Sequence, residues 1–477
     1  MSTAAALAAI KDALGPGGWL EAPADVAPYL TDFRRLYHGA TALVARPDSV
    51  ARVAAVVGLC NQARIGVVPH GGNTSYCGGA TPREDGTEIV LSLARLNRVR
   101  SVDPLGCSLT LDAGCTLSAA QSAAAAVARR FPLSLGSEES CQIGGNLSTN
   151  AGGTAVLRFG MMRELVLGLE VVLADGRVLD QLRSLRKDNT GYDVKQLFLG
   201  AEGTLGVITG ACLKLFPQPG DFLSALIAID GIGAAVELLA RVRDAFGESI
   251  EGFEYVPRIG LELARRHLEG VSDPFDAPHP GYALVEVAAS TLLPEARERF
   301  EEFLGREIEA GRARDAVVAN SGPQREALWF LREHVPEAQT REGASIKHDV
   351  SLPIDRLAEF VATAERRLAM LAPGARVIGY GHVGDGNLHF NLSPPQGTAR
   401  RSAAEAEFLG RAPAINREIH DLVALLGGSF SAEHGVGRLK VGELERYEDP
   451  VALELMRRVK VALDPHGIMN PGKVLRG

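Results

Sequence analysis

The chain holds eight lysines, no paired-cysteine motif, no long apolar run and no excess of cations, and each lack removes a class of function. Its six cysteines (Cys60, Cys77, Cys107, Cys115, Cys141, Cys212) contain no Cys-x-x-Cys, so no iron–sulfur module is encoded, and the spacing is not that of a secreted disulfide framework. Lys+Arg 50 against Asp+Glu 58 leaves a net charge of −8, which argues against nucleic acid as the main partner. The longest alanine-rich apolar runs, near residues 123–128, are far too short to span a bilayer. No basic segment opens the chain and no arginine precedes Arg34, so neither a signal peptide nor a transit peptide fits, and a soluble cytoplasmic protein is expected. There is no internal repeat of solenoid length.

What remains is an ordinary globular composition, 46% hydrophobic and 23% charged, over 477 residues, enough for two or three domains. Within it, residues 375–380 and 388–392 read as short apolar strands, and Gly384, Asp385 and Gly386 form a turn signal between them. A tight reversal brings its ends together, so His382 and His389 can face one point. Further on, Glu433 and His434 stand beside Gly435. His382, His389 and Glu433 make the ligand set of an open catalytic site for zinc or a related divalent ion, with a position left for substrate. The competing reading of the same residues is a hairpin with partly buried, hydrogen-bonded histidines.

Three glycine-rich elements lie upstream. Leu43, Val44 and Ala45 suggest a strand, Pro47, Asp48 and Ser49 a helix start, and residues 50–63 carry helical spacing. A further strand leads into Pro69, His70, Gly71, Gly72, Asn73, Thr74 and Ser75, where glycines let backbone approach a ligand and successive N–H groups can cradle phosphate oxygens. The string is neither Gly-x-Gly-x-x-Gly nor a Walker loop, and alone it is as readily a plain turn. The second element runs from Leu135, Gly136 and Ser137 through Cys141 to Gly144, Gly145, Asn146, Ser148, Thr149, Asn150, Gly152 and Gly153. It suits a backbone wrapped around a bulky polar ligand; the alternative is a surface loop of about eighteen residues, and long structureless loops tend to be functional. The third joins Lys187–Gly191 in sequence to Glu202, Gly203, Gly206, Val207 and Ile208, after a strand at 165–173 and a hairpin turn at Asp175 and Gly176. Beyond the boundary signals Pro217, Pro219 and Gly220, residues 224–229 and 281–287 are strand-like, and 234–246 and 293–310 have helical periodicity.

Seven short strings in one order (69–74, 144–153, 185–193, 202–206, 381–389, 431–435, 470–473) carry a specific likeness over nearly the whole chain. The chain resembles FAD-dependent D-2-hydroxyacid dehydrogenases of the vanillyl-alcohol oxidase / p-cresol methylhydroxylase superfamily, above all those acting on D-2-hydroxyglutarate. The resemblance implies an α+β fold. Residues 1–219 would form a two-lobed FAD domain split near residue 100, residues 220–420 a cap with an antiparallel sheet, and residues 421–477 a segment completing the flavin and metal sites. FAD, held without a covalent bond, would rest on the three loops named above, on Gly78 and Gly79, and on Asn470.

The same resemblance gives His382, His389 and Glu433 to a metal, zinc as first choice, that chelates the substrate hydroxyl and α-carboxylate. It makes His434 the general base and a substrate contact, and it assigns Arg332, Lys347 and Asn391 to substrate. Cα hydrogen would leave as hydride for the flavin. One position departs from the hydroxyglutarate pattern: Pro336 stands where a threonine is expected, four residues after Arg332. D-2-Hydroxyglutarate, giving 2-oxoglutarate, is the expected substrate, with D-lactate, D-malate or glycolate as alternatives. An electron-transfer flavoprotein or a quinone would take the electrons, and a homodimer is the family-level expectation. Two readings of other classes stand beside these: a flavin-free His/His/Glu metallohydrolase, and a non-catalytic subunit of a larger oxidase.

Overall fold

A computed structural model describes residues 1–289 and 295–476. The chain divides into two compact units, one of residues 1–153, 159–218 and 433–477, the other of residues 154–158 and 219–432. The fold is α+β.

The first unit holds two main sheets. In one, the order is Trp19–Leu20, Val44–Ala45, Glu88–Ser92, Gly66–His70, with the last three strands parallel. Helices Thr3–Leu14 and Val50–Ala63 bury Ile10, Leu14, Val53, Val56 and Cys60 in the core beside it. The other sheet is antiparallel and five-stranded, ordered Val99–Asp103, Ser108–Asp112, Val207–Lys214, Val166–Val172, Val178–Gln181. Val166–Val172 is buried at every position, which is why it shows no period-two alternation in sequence.

The C-terminal segment is stitched onto the first sheet. Val67 N–H donates to Ile468 O at 2.7 Å and Asn470 N–H to Val67 O at 2.8 Å, extending the edge of Gly66–His70. Asn470 Nδ2 donates to Gly79 O and Glu202 O at 2.9 and 2.7 Å, tying two of the glycine-rich loops to one side chain.

The second element read as a long loop is partly helical: Ile143–Ser148 forms a short helix in spite of two glycines. A Cβ on Gly144 would lie 2.8 Å from the Ala113 Cβ, so contact with the sheet selects glycine here and overrides its poor helix propensity.

The second unit carries a four-stranded antiparallel sheet, ordered Ile250–Pro257, Gly281–Ala289, Asp221–Ile229, Asp315–Val318, and a three-stranded one, ordered Asp349–Ser351, Asn387–Ser393, Arg376–Tyr380. Helices Ile232–Phe246, Ala296–Glu309 and Leu357–Leu371 cover them around Phe253, Phe300, Phe360 and Phe390. Of the expected helix over 293–310, positions 293 and 294 lie outside the described residues.

Candidate functional site

In the second unit, strand Asn387–Ser393 pairs antiparallel with Arg376–Tyr380 and sets His389 opposite Tyr380. Its sequence alternates, so Leu388, Phe390 and Leu392 enter the core while Asn387, His389, Asn391 and Ser393 share the other face. That face carries a buried polar network. Asn391 is buried, its Nδ2 donating to Gln339 Oε1 at 2.9 Å and its Oδ1 accepting from the His348 N–H at 3.2 Å. Asp349, opposite His389 on the neighbouring strand, has a carboxylate oxygen 3.7 Å from His389 Nδ1 and accepts from Asn387 Nδ2 at 2.9 Å. The His382 and His389 rings lie 5.5 Å apart.

Glu254, on strand Ile250–Pro257, joins His382 to Arg332. One carboxylate oxygen accepts from His382 Nδ1 at 2.6 Å and the other from Arg332 Nε at 2.7 Å. Arg332 is 5% exposed and lies over the Tyr380 ring, and its Nη2 meets no acceptor among the described residues. Burial alone would raise the Glu254 pKa, but the Arg332 guanidinium and His382 reverse this and hold it down at about 2. With Nδ1 engaged by this carboxylate, Nε2 is the His382 nitrogen left to offer a metal. Lys347 is exposed between the buried Ile346 and His348. Pro336 falls in the first turn of helix Val335–Glu342, where its missing N–H costs nothing.

In the first unit, a cavity of about 500 Å³ opens beside the end of strand Gly66–His70 and is lined by Tyr29, Asp32, Phe33, Arg35, His70, Gly71, Gly72 and Asn73. A Cβ on Gly72 would come within 2.0 Å of Ser140 O, so only glycine allows the two loops to approach this closely. Asn73 takes φ +53° and its amide donates to Thr31 O at 2.8 Å. His70 is 6% exposed, with neither ring nitrogen hydrogen-bonded among the described residues, and burial pushes its pKa down to about 4. Tyr29 lies against this ring at 4.9 Å.

Several expected cradle residues have structural partners. Ser148 and Thr149 hydroxyls donate to Gly144 O and Gly145 O, and Asn150 Oδ1 accepts from the Arg163 N–H. The Cys141 thiol accepts from Asn146 Nδ2 at 3.6 Å. Glu202, with φ +51°, turns its carboxylate to the N–H groups of Val436 and Gly437 at 2.7 and 2.9 Å. Burial raises its pKa, and these two amides oppose the rise. Glu202 thus holds the loop that carries Glu433 and His434, and the His434 ring meets Tyr76 edge-on at 4.6 Å. His382 and His389 belong to the second unit, Glu433 and His434 to the first.

Sequence reasoning missed Pro28, Tyr29, Thr31, Asp32, Phe33 and Arg35, which line the cavity without a glycine signal, and Glu254. Strand Ile250–Pro257 is buried at nearly every position, so no alternation marks its carboxylate as facing a site.

Residues 41–181 match the FAD binding domain model, and residues 219–474 match that of the C-terminal domain of FAD linked oxidases. The chain is 41% identical over 461 residues to D-2-hydroxyglutarate dehydrogenase, mitochondrial, of Bos taurus, covering 96% of this chain and 81% of that one. The chain belongs to the FAD-linked D-2-hydroxyacid dehydrogenases. A second relative, the mitochondrial D-2-hydroxyglutarate dehydrogenase of Arabidopsis thaliana, is 37% identical over 98% of this chain and 80% of its own length. In three dimensions the chain is similar to p-cresol methylhydroxylase with substrate bound: TM-score 0.77, 17% identity, 99% of this chain and 97% of that one, a likeness of fold. Membership makes the protein an FAD-linked oxidoreductase. The expected cytoplasmic location is corrected by these relatives, both named as mitochondrial. The first residues of a chain are a poor guide to compartment, because targeting segments are cleaved and take no part in the fold.

The first unit fits FAD. The glycine-only approach at Gly72, the cavity beside it and the buried His70 imidazole, with neither ring nitrogen held at hydrogen-bond geometry among the described residues, offer close backbone and a buried donor to a bulky polar ligand. The donor set of the second unit also fits a divalent ion: two imidazoles, one with its proton fixed on Nδ1 by a carboxylate.

Proposed function

We propose that the enzyme oxidises D-2-hydroxyglutarate to 2-oxoglutarate with bound FAD and a divalent metal, zinc as first choice, held by His382, His389 and Glu433. The reading is carried by the names of two relatives at 37–41% identity over nearly the whole chain, joined to a buried guanidinium, Arg332, whose Nη2 is left to a carboxylate. When bound, FAD supplies a two-electron acceptor for the hydrogen on Cα, and the metal supplies a Lewis acid that makes the hydroxyl easier to deprotonate.

Residues of the chain do the rest. His434 takes the hydroxyl proton as the C–H bond breaks, leaving a carbonyl at C2. Arg332 holds a substrate carboxylate through charge-assisted hydrogen bonds, with Lys347 as the second cation and Asn391 ordering the same face. Electrons pass on to an electron-transfer flavoprotein or a quinone.

Flavin reduction followed by stopped flow with D-2-hydroxyglutarate, D-lactate, D-malate, glycolate and their L-enantiomers tests substrate and stereochemistry together. Chelation should abolish reduction while the flavin stays bound. His434→Ala should keep the metal and slow reduction by about 10²–10⁴. Full activity in a metal-free preparation would remove the metal from the mechanism. Pro336 favours a second reading, a smaller D-2-hydroxy acid, because it removes a hydroxyl near Arg332.

A further inference from the structure

We propose that Glu254 is a positioning residue that sets the metal-ligating His382 and the carboxylate-binding Arg332 in one fixed relation. The inference rests on the proposed metal and substrate roles of those two residues. Each oxygen of Glu254 serves one partner, His382 Nδ1 at 2.6 Å and Arg332 Nε at 2.7 Å, so one planar carboxylate spaces both groups. Glu254 is 1% exposed and Arg332 5%, so water cannot stand in for either bond. Backbone geometry fixes the carboxylate itself: Tyr255 and Gly381 exchange both backbone hydrogen bonds, which sets Glu254, on strand Ile250–Pro257, opposite His382, just past the end of strand Arg376–Tyr380.

Each bond also selects a chemical state. An acceptor at His382 Nδ1 requires the proton there, which keeps Nε2 as the ligating nitrogen. An acceptor at Arg332 Nε leaves the Nη edge of the fork to a ligand, and Nη2 meets no protein acceptor among the described residues. Were Glu254 only a buried counter-ion for Arg332, its loss would change stability and leave metal affinity alone.

Glu254→Gln separates these roles, because an amide of the same shape offers one acceptor and one donor. Facing its NH₂ to His382 would demand a lone pair on Nδ1 and move the ring proton to Nε2. Facing it to Arg332 would set donor against donor. Purified holoenzyme of wild type, Glu254→Gln and Glu254→Asp should be compared for Zn²⁺ affinity by competition with a chromophoric chelator, for KM and kcat with D-2-hydroxyglutarate, and for FAD content and thermal midpoint. The expected result is Zn²⁺ affinity 10–100-fold weaker in Glu254→Gln. KM should rise about tenfold or more at retained FAD content, with partial recovery in Glu254→Asp. If Glu254→Gln folds with its flavin and keeps wild-type Zn²⁺ affinity and KM, the positioning role is wrong. If both variants fail to fold, Arg332→Lys decides, since coupled positions predict that it weakens Zn²⁺ affinity as well as raising KM, and a raised KM at wild-type Zn²⁺ affinity overturns the coupling. A wild-type enzyme that binds no Zn²⁺ and oxidises no 2-hydroxy acid would instead reject the proposed function.

Discussion

Tyr255 and Gly381 share a single antiparallel bridge, with N–H to carbonyl distances of 2.9 Å in one direction and 3.0 Å in the other. This bridge joins strand Ile250–Pro257 to the hairpin of the histidine pair. Gly381 has φ +145°, and a Cβ there would lie 3.1 Å from Asn387 O and 3.3 Å from His389 N. Gly381→Ala should therefore cost about 1–3 kcal/mol and lower metal content, because relief of the strain must move either His382 or His389. Gly305→Ala is the control. It lies in helix Ala296–Glu309 with nothing within 4 Å of its Cβ, and should stabilise by about 0.5–1 kcal/mol. Thermal midpoints and metal content of the two variants check this; an unchanged Gly381→Ala would show that the hairpin tolerates ordinary backbone.

Gly72 offers a sharper break in the other unit. A Cβ 2.0 Å from Ser140 O cannot be absorbed by a side-chain shift, since both atoms involved belong to the backbone or are fixed to it. Gly72→Ala should push apart the loops that flank the cavity and yield protein with little or no bound FAD. The flavin-to-protein absorbance ratio measures it. Normal flavin occupancy in this variant would mean that the cavity beside His70 is not the cofactor's.

His70 gives a pH dependence with a definite sign. Burial lowers its folded-state pKa to about 4, below the ordinary value of about 6.5, so the unfolded chain binds the extra proton over that window. Stability from the neutral ring is complete above pH 6.5 and is lost as pH falls towards 4, by about 3 kcal/mol in all. Denaturant unfolding of wild type and His70→Gln between pH 7 and 4 should show wild type losing ground to the variant. Parallel curves would mean that the ring is not held neutral.

The hairpin of His382 and His389 was legible because its strand alternates and its turn carries Gly384 and Gly386, two signals that depend only on local geometry. The helix Ile143–Ser148 was not, since its Gly144 answers to Ala113, a partner far away in sequence. Asn391 and Glu202 show the same limit from another side. Their strings were informative, yet Asn391 is bonded to Gln339 and His348, and Glu202 to Val436 and Gly437, contacts that only the folded chain defines. Glu254 carried no local signal at all. A carboxylate in a strand buried at nearly every position is identified by what it meets across the fold.

Substrate choice turns on Pro336. It occupies the first turn of helix Val335–Glu342, and its carbonyl accepts from the Thr340 hydroxyl at 2.8 Å, so the backbone there is already ordered. Pro336→Thr should leave the helix intact, because the first turn needs neither the proline ring nor an extra N–H bond. It would add a hydroxyl at the start of the helix that follows the buried Arg332, four residues on in sequence, where the distal carboxylate of a five-carbon diacid is expected. Two charge-assisted carboxylate contacts are worth about 1.5–3 kcal/mol each, more than one neutral hydroxyl contact of about 1 kcal/mol, so the wild type should already prefer D-2-hydroxyglutarate to D-lactate. Pro336→Thr should widen that preference about fivefold by lowering KM for the diacid alone. If D-lactate is the better substrate of the wild type and the substitution improves neither acid, Arg332 and Lys347 do not hold two carboxylates of one substrate, and the smaller-acid reading takes the site.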